Sequence, residues 1–132
     1  MKTSTTTVKV RYAETDKMGV VHHANYPIYL ELARIEWLND IGISYKNMEE
    51  EGVMLPVYEM QFSFLSPAYF DDTLTIKTIL KQLPRARITF DYEITNEAGK
   101  LLTKAQTTLV FVDTKTNWPT RCPEYVLDRL KN

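Results

Sequence analysis

The sequence is poor in groups that cross-link, bind metals or cross membranes. It has one cysteine, four glycines and two histidines among 132 residues. The single cysteine, Cys122, excludes an intrachain disulfide and a zinc site built from paired cysteines. No stretch approaches the roughly 20 apolar residues that span a membrane, and the first residues lack the apolar run of a secretory signal. These absences favour a cytoplasmic protein without a membrane span.

No charge of either sign dominates. The chain has 16 basic and 17 acidic residues and a formal net charge of -1. Such a balance creates no overall field that would attract nucleic acid, so we expect no nucleic-acid partner, and a polyanionic ligand would need a local basic patch. A hydrophobic content of 44% is enough for a core. Without repeats or linkers, this length predicts a single domain over residues 1–132.

The first third of the chain predicts one strand, one loop and one long helix. Residues 5–12 are rich in Thr and Val and predict a strand, and a loop follows at 13–23. Residues 26–40 have a helical pattern, with Pro27 in the first turn and Gly42 just beyond the end. Apolar side chains point almost all the way round this helix, which predicts that other elements enclose it.

Alternating apolar and polar residues predict further strands between about residues 55 and 112. The apolar positions of these strands are Tyr58, Met60, Phe62 and Phe64, then Leu74, Ile76 and Leu80, then Ile88, Phe90, Tyr92 and Ile94. A turn at 96–99 predicts a hairpin into a last strand ending near Asp113. A short amphipathic helix at about 123–130 closes the chain. Short turns between the strands favour an antiparallel sheet packed around one helix, an α+β fold.

We expect large aromatic side chains to contribute more to this core than to a ligand pocket. This expectation covers Trp37, Tyr58, Phe62 and Phe64.

The densest cluster of chemically capable side chains lies directly before the helix. It contains Asp16, a turn at Gly19, and the pair His22 and His23. Backbone N–H groups at a helix start are unpaired and carry a partial positive charge, so they would polarise a substrate carbonyl placed near residues 21–23. Asp16 would face that carbonyl across the Gly19 turn. The segment therefore predicts an oxyanion site with one carboxylate.

Other catalytic arrangements lack support. There is no G-x-S-x-G elbow, and Cys122 directly precedes Pro123 near the C-terminal end, so we interpret it as an ordinary thiol. Adjacent histidines in extended chain point apart, and no third ligand completes a site with His22 and His23, so we predict no metal and no cofactor. A lone carboxylate suits a thioester, because a thiol with a pKa of about 8.5 leaves as thiolate without strong acid catalysis.

The run Y-x-E-T-D-x-x-G-V-V-H-H-x-N-Y-x-x-Y-x-E-x-A-R covers residues 12–34. It resembles the signature of the 4-hydroxybenzoyl-CoA thioesterase-like family, especially the branch of acyl-CoA thioesterases associated with the Tol–Pal system. The resemblance implies a hot-dog fold, in which a long antiparallel β-sheet wraps around a central α-helix. It also implies homodimers or homotetramers with active sites shared across the dimer interface, and hydrolysis of acyl-CoA to free acid and coenzyme A.

The resemblance also assigns roles to individual residues. It makes Asp16 the catalytic carboxylate, as nucleophile or general base, assisted by Tyr12 and His23. The backbone at His23 matches the amide that polarises the thioester carbonyl. Val21 and His22 are expected beside the bound substrate. Many members of the family have Asp where this chain has Glu14, so we assign Glu14 no specific role.

Two pairs of charged residues lie outside this cluster. Arg85 and Arg87 alternate on the polar face of a strand, where they either bind the phosphates of coenzyme A or form a solvated strand face. Glu31 and Arg34 lie three apart on the helix, and we favour a structural role for this pair in orienting the preceding loop.

The sequence leaves a second function open, in which the same fold binds acyl-CoA or acyl carrier protein without turnover. It also leaves open the acyl group, the choice between coenzyme A and acyl carrier protein, nucleophilic against general-base catalysis, and dimer against tetramer.

Overall fold

The structure, a computed structural model, describes residues 2–131. Its elements in chain order are β1 (Lys2–Lys9), α1 (Tyr26–Asp40), α2 (Tyr45–Glu50), β2 (Val53–Met54), β3 (Val57–Phe64), β4 (Thr73–Leu80), β5 (Arg87–Thr95), β6 (Leu101–Val110), β7 (Val112–Asp113) and α3 (Glu124–Lys131). Two single turns of 3-10 helix, Tyr12–Glu14 and His23–Asn25, flank the loop before α1. Within residues 2–131, no helix is long and apolar enough to cross a membrane.

Five strands form one antiparallel sheet in the order β1-β4-β5-β6-β3, and β2 pairs with β7 in a small separate sheet. The inner face of the large sheet is apolar and packs against α1. Its fully buried members include Leu74, Ile76, Ile88, Phe90, Tyr92 and Ile94. The apolar residues that alternate along β4 and β5 thus lie on the buried face of the sheet, as predicted. The predicted α+β arrangement is confirmed.

Helix α1 has the predicted bounds, with Pro27 in its first turn and Gly42 at a φ of +81° just after its end. Trp37, which belongs to α1, is buried with its ring 4.9 Å from that of Phe90 in β5, as predicted. The sheet packs against α1 as predicted, but it leaves part of the helix uncovered in the single chain, because Ile28 and Leu32 remain 52% and 49% exposed. The sheet covers one side of α1, and these two residues lie on another.

Strand β3 lies at an edge of the sheet, which overturns part of the predicted core. Tyr58 and Phe64 are 61% and 51% exposed, and Phe62 is only partly buried. Tyr58 is the extra residue of a bulge, because Val57 pairs with Leu109 while Glu59 pairs with Thr108. An edge strand has a neighbouring strand on one side only. Helix α1 packs mainly against β1 and β4, toward the opposite edge of the sheet, and so leaves much of β3 uncovered.

The remaining differences are local. The first strand covers Lys2–Lys9 rather than 5–12, and residues 65–72 form a crossover instead of a short turn, because β3 pairs with β6 and not with β4. Helix α2, which the sequence analysis missed, begins after Ser44, whose side chain accepts a hydrogen bond from the Asn47 N–H. The β5–β6 hairpin and α3 lie where they were predicted.

Candidate active site

The loop before α1 contains a tight turn built on Asp16. Its Oδ1 accepts from the Met18 N–H at 2.8 Å, its carbonyl accepts from the Gly19 N–H, and its own N–H donates to the Val20 carbonyl. Gly19 has a φ of +80°, a conformation that side-chain-bearing residues rarely adopt. Within residues 2–131, no group donates to Oδ2 of Asp16. One carboxylate oxygen thus holds the turn while the other stays available.

The backbone on the far side of this turn has one available donor. The Val21 N–H donates to the Ala68 carbonyl at 2.9 Å, and the His22 N–H donates to the Glu14 carbonyl at 2.9 Å. The His23 N–H, at the start of the turn of 3-10 helix leading into α1, has no acceptor in the described part of the chain. Of the backbone N–H groups at residues 21–23 that were predicted to polarise a substrate carbonyl, only that of His23 therefore has no acceptor within the described residues.

Glu14 holds this loop in place, a role that the sequence analysis did not assign. Its carboxylate accepts from the Arg11 N–H at 2.9 Å and from the Tyr29 hydroxyl at 2.7 Å, and it forms an ion pair with the Arg11 guanidinium at 3.0 Å. Its carbonyl accepts from the Asn25 side-chain amide at 2.8 Å as well as from the His22 N–H. Glu14 thus ties the end of β1 and both sides of the loop to α1.

These contacts determine the ionisation of Glu14. Burial raises its pKa, but the hydrogen bonds from Arg11 and Tyr29 and the Arg11 charge outweigh burial and hold the pKa below its ordinary value of 4.5. Burial and the neighbouring Glu14 carboxylate raise the pKa of Tyr29. The pair is therefore a carboxylate that accepts from a neutral phenol.

We expect Glu14→Gln to lower the free energy of unfolding at neutral pH by about 1–3 kcal/mol, because a buried charged acceptor with three partners is lost. A lowered pKa stabilises the folded state above the unfolded pKa of 4.5 and loses that contribution as pH falls through the folded value. The difference from wild type should therefore shrink below about pH 4.5. Urea unfolding at several pH values measures it.

Glu36→Gln is the control, because Glu36 is an exposed carboxylate on α1 and makes none of these contacts. A constant difference between Glu14→Gln and wild type from pH 7 to pH 3 would contradict the assigned role of the Glu14 carboxylate.

The two histidines lie together, contrary to the expectation that their rings point apart. The His22 and His23 rings stack with centroids 4.3 Å apart at an angle of 26°. The Nδ1 of His22 accepts from the Ala24 N–H at 3.1 Å, so a neutral His22 carries its proton on Nε2. Within residues 2–131, no three His, Cys, Asp or Glu side chains are arranged to hold a metal ion.

Tyr12 lies beside the loop rather than at the end of a strand. Its side chain is 76% exposed, and its ring packs edge-on against Phe70 at 5.5 Å. Met18, at the tip of the Asp16 turn, is 84% exposed, and Tyr69 and Phe70 are half exposed. Apolar side chains with this much exposure commonly mark a surface that binds a ligand or another subunit.

Arg85 and Arg87 lie at the opposite end of the sheet from Asp16. The Asp16 loop contacts Tyr69, just before β4 begins, whereas Arg87 begins β5 beside the end of β4. The eight residues of β4 separate the two ends by about 25 Å. The Arg87 guanidinium lies 4.4 Å from the centre of the Tyr58 ring. One chain does not bring these arginines to its own Asp16.

Two other residues have roles different from catalysis or loop orientation. The Arg34 guanidinium donates to the Tyr92 hydroxyl of β5 at 3.3 Å and therefore contacts the sheet, not the loop. The orienting role that we predicted for the Glu31–Arg34 pair belongs to Glu14 instead. Cys122 is buried, and burial raises the pKa of its thiol to about 12. A thiol in that state is not a nucleophile at neutral pH.

Comparison with known proteins gives consistent matches. Residues 10–130 match the thioesterase-like superfamily. YneP of Bacillus subtilis, provisionally named an acyl-CoA thioesterase, is 36% identical over 113 residues, which are 86% of this chain and 82% of YneP. The acyl-CoA thioester hydrolase YbgC of Escherichia coli O6:H1 is 32% identical, with 94% of this chain and 92% of YbgC covered. The structure of the DHNA-CoA thioesterase of Staphylococcus aureus superposes with a TM-score of 0.92 at 35% identity, covering 99% of this chain and 88% of that one.

Proposed function

Because the chain belongs to the thioesterase-like superfamily and has a hot-dog fold, we propose that it hydrolyses acyl-CoA thioesters to free acid and coenzyme A. The prediction of an enzyme that hydrolyses thioesters is confirmed by the family match and the relatives. The acyl-CoA substrate is supported by the names of YneP, YbgC and the Staphylococcus aureus enzyme.

The arrangement of Asp16 and His23 carries this proposal. Asp16 has one carboxylate oxygen fixed by the turn and one available, and the His23 N–H lacks an acceptor within residues 2–131. A thioester carbonyl that accepts from His23 N–H gains stabilisation as its oxygen becomes negative. The available oxygen of Asp16 then attacks the carbonyl carbon or removes a proton from water. The thiolate of coenzyme A leaves in either route.

The surroundings of this pair supply the other proposed roles. Tyr12 and His23 assist Asp16 through their side chains. The backbone of Val21 and His22 contacts the bound thioester. The stacked imidazoles and the exposed Tyr12 ring provide a surface next to the turn. These roles follow the family signature and the position of the loop.

We propose that the enzyme acts as a dimer in which two β3 strands pair antiparallel. Strand β3 pairs with β6 on one side, and its other side has no partner strand within the described residues. Tyr58 and Phe64 on it are exposed, and natural edge strands of this length are normally covered or blocked. Antiparallel pairing places the Tyr58–Arg87 end of one chain beside the Phe64 end of the other. Phe64 packs on Tyr26 at 5.2 Å, next to the Asp16 loop. Arg85 and Arg87 then bind the coenzyme phosphates opposite the partner chain's loop.

The remaining proposals concern the family branch, the domain bounds, the location and the assembly. The signature at residues 12–34 supports the 4-hydroxybenzoyl-CoA thioesterase-like branch and, within it, the group associated with the Tol–Pal system. A single hydrophobic core through the described residues supports one domain over 1–132. A cytoplasmic location and assembly into tetramers stay predictions.

A free-thiol assay tests the activity directly. Aliphatic acyl-CoAs of increasing length, aromatic acyl-CoAs and acyl carrier protein thioesters are offered in turn, and release of the thiol is followed. We expect turnover of at least one acyl-CoA. Binding of acyl-CoA or acyl carrier protein without thiol release from any member of the panel would instead support the non-catalytic binding module.

A further inference from the structure

His22 holds the turn that leads into α1 at two points. Its Nδ1 accepts from the Ala24 N–H at 3.1 Å, and its carbonyl accepts from the Asn25 N–H at 2.9 Å. The imidazole thus takes the place that the side-chain oxygen of Ser, Asp or Asn usually occupies at the start of a helix. The proposed hydrolysis uses only the backbone of His22, not this ring.

These two hydrogen bonds leave one backbone donor of the turn for a substrate. Acceptors within the described residues are present for the N–H groups of Val21, His22, Ala24 and Asn25. The N–H of His23 has none there. Since His23 lies between His22 and both of the residues that His22 binds, the two bonds fix the direction of its N–H. Loss of the ring contact would leave the Ala24 N–H unpaired and free the backbone of His23 to move.

Protonation of His22 removes the acceptor on which this contact depends. A neutral imidazole has one nitrogen that accepts, whereas both nitrogens of an imidazolium donate. With Nδ1 protonated, two N–H groups would face each other across 3.1 Å, at a helix start that already carries a partial positive charge. The His23 ring, stacked at 4.3 Å, adds repulsion when it is protonated as well. An imidazolium at this position therefore cannot cap the turn.

The two histidines are the groups around the loop whose charge ordinarily changes between about pH 5 and 8. Carboxylates, tyrosines, lysines and arginines ordinarily change charge outside that range. The other titratable groups on the loop, the end of β1, the start of α1 and the crossover are Lys9, Arg11, Tyr12, Glu14, Asp16, Lys17, Tyr26, Tyr29, Tyr69, Asp71 and Asp72. In the proposed dimer, the arginines at positions 85 and 87 of the other chain also face the loop and stay charged.

We propose that His22 is a positioning residue whose neutral imidazole caps the turn that presents the His23 N–H to the thioester, and that protonation at Nδ1 releases the cap and lowers turnover in acid. The inference rests on the proposed function and adds a proton-controlled step to the assembly of its site. Solvent supplies the proton. No bond of the substrate changes in this step, which acts only through the direction of the His23 N–H.

Two substitutions at His22 test the cap. His22→Ala removes the acceptor, and we expect kcat at pH 8 to fall by roughly 2–30-fold, the range for loss of a helix cap, with KM changed by only a few-fold. His22→Asn supplies an amide oxygen of the kind preferred at this position and should restore most of that loss. Ser44→Ala is the control, because it removes a side-chain cap of the same kind from α2 and should keep wild-type kcat.

The pH profile separates control by a proton from a purely structural cap. Thiol release is followed with a dipyridyl disulfide, which also reacts in acid. Histidine is ordinarily neutral at pH 8 and protonated at pH 5.5. Between these values we expect kcat to fall by about tenfold in wild type but by less than about threefold in His22→Asn, because an amide does not titrate. Ser44→Ala should follow the wild-type profile.

A measurement on the ring tests the cap without any substrate. Nitrogen-15 NMR at pH 8 should place the proton of His22 on Nε2, and on acidification the Ala24 amide resonance should shift with the same midpoint as the His22 ring. If no acyl-CoA is hydrolysed, the proposed function fails, and this measurement still decides whether His22 caps the turn.

Three results would overturn the inference. The first is a neutral His22 that carries its proton on Nδ1, since that nitrogen could not then accept from Ala24. The second is a His22→Ala protein with wild-type kcat at pH 8. The third is an equal loss of kcat in acid by wild type and His22→Asn, which would assign the pH dependence to His23 and leave thioester hydrolysis itself standing.

Discussion

Asp16→Asn is expected to lower kcat on the best acyl-CoA by about 10²–10⁴, with KM changed by only a few-fold. The substitution keeps the shape of the side chain and the Oδ1 that accepts from the Met18 N–H, so the turn remains intact. What it removes is the charge on the oxygen that attacks the thioester or activates water. Steady-state thiol release measures kcat, and circular dichroism confirms that the variant is folded.

Asp71→Asn is the matched control for this substitution. Asp71 is also a loop carboxylate, exposed and paired with Lys9 at 3.2 Å, and we expect its variant to keep wild-type kcat. An Asp16→Asn protein as active as wild type would remove Asp16 from the mechanism. Single turnover in oxygen-18 water then tests the nucleophilic route, because isotope in the Asp16 carboxylate requires an acyl-Asp16 anhydride that water opens at the Asp16 carbon.

Mixing two inactive proteins should restore activity, because each proposed site takes Asp16 from one chain and the arginines from the other. One protein is Asp16→Asn, and the other is the double variant Arg85→Gln and Arg87→Gln. Random pairing makes half of the dimers mixed, and each mixed dimer has one intact site of two, so we expect about a quarter of wild-type activity. The two chains are refolded together and assayed at substrate concentrations below KM.

Each variant refolded alone gives the baseline for this experiment. Activity of the mixture equal to the average of the two baselines would show that Asp16 and the arginines do not meet across an interface. Separate tags on the two chains allow the mixed dimers to be purified, and their specific activity should be about half that of wild type.

The elements that the sequence predicted well are those whose signals are local. Pro27 and Gly42 delimit α1, and a turn containing Gly99 at a φ of +80° joins β5 to β6. Strand β3 has an equally clear alternation, but its burial depends on its place at the edge of the sheet. That place is determined by pairing with β6, some 45 residues later, which no local pattern reveals. Helix α2 was missed because it is only six residues long.

The candidate site was predictable in position but not in its internal contacts. The sequence placed Asp16 and His23 on one loop before a helix, and the structure places them there. It gave no indication that the Val21 N–H is paired with the Ala68 carbonyl, a contact between segments far apart in the chain. The role of Glu14 was missed for the same reason, since one of its partners, Tyr29, lies on α1. The only available signal was the i,i+3 spacing of Arg11 and Glu14.

The sheet order also has a consequence for how the chain folds. Lys2 pairs with Leu80, so β1 and α1 emerge during synthesis long before the strand that covers them exists. Closing a chain segment of this length costs entropy before any contact rewards it, and such non-local pairing slows folding. We expect the β5–β6 hairpin to gain hydrogen-exchange protection first and β1 last. Until β4 arrives, the apolar face of α1 is exposed to aggregation or to a chaperone.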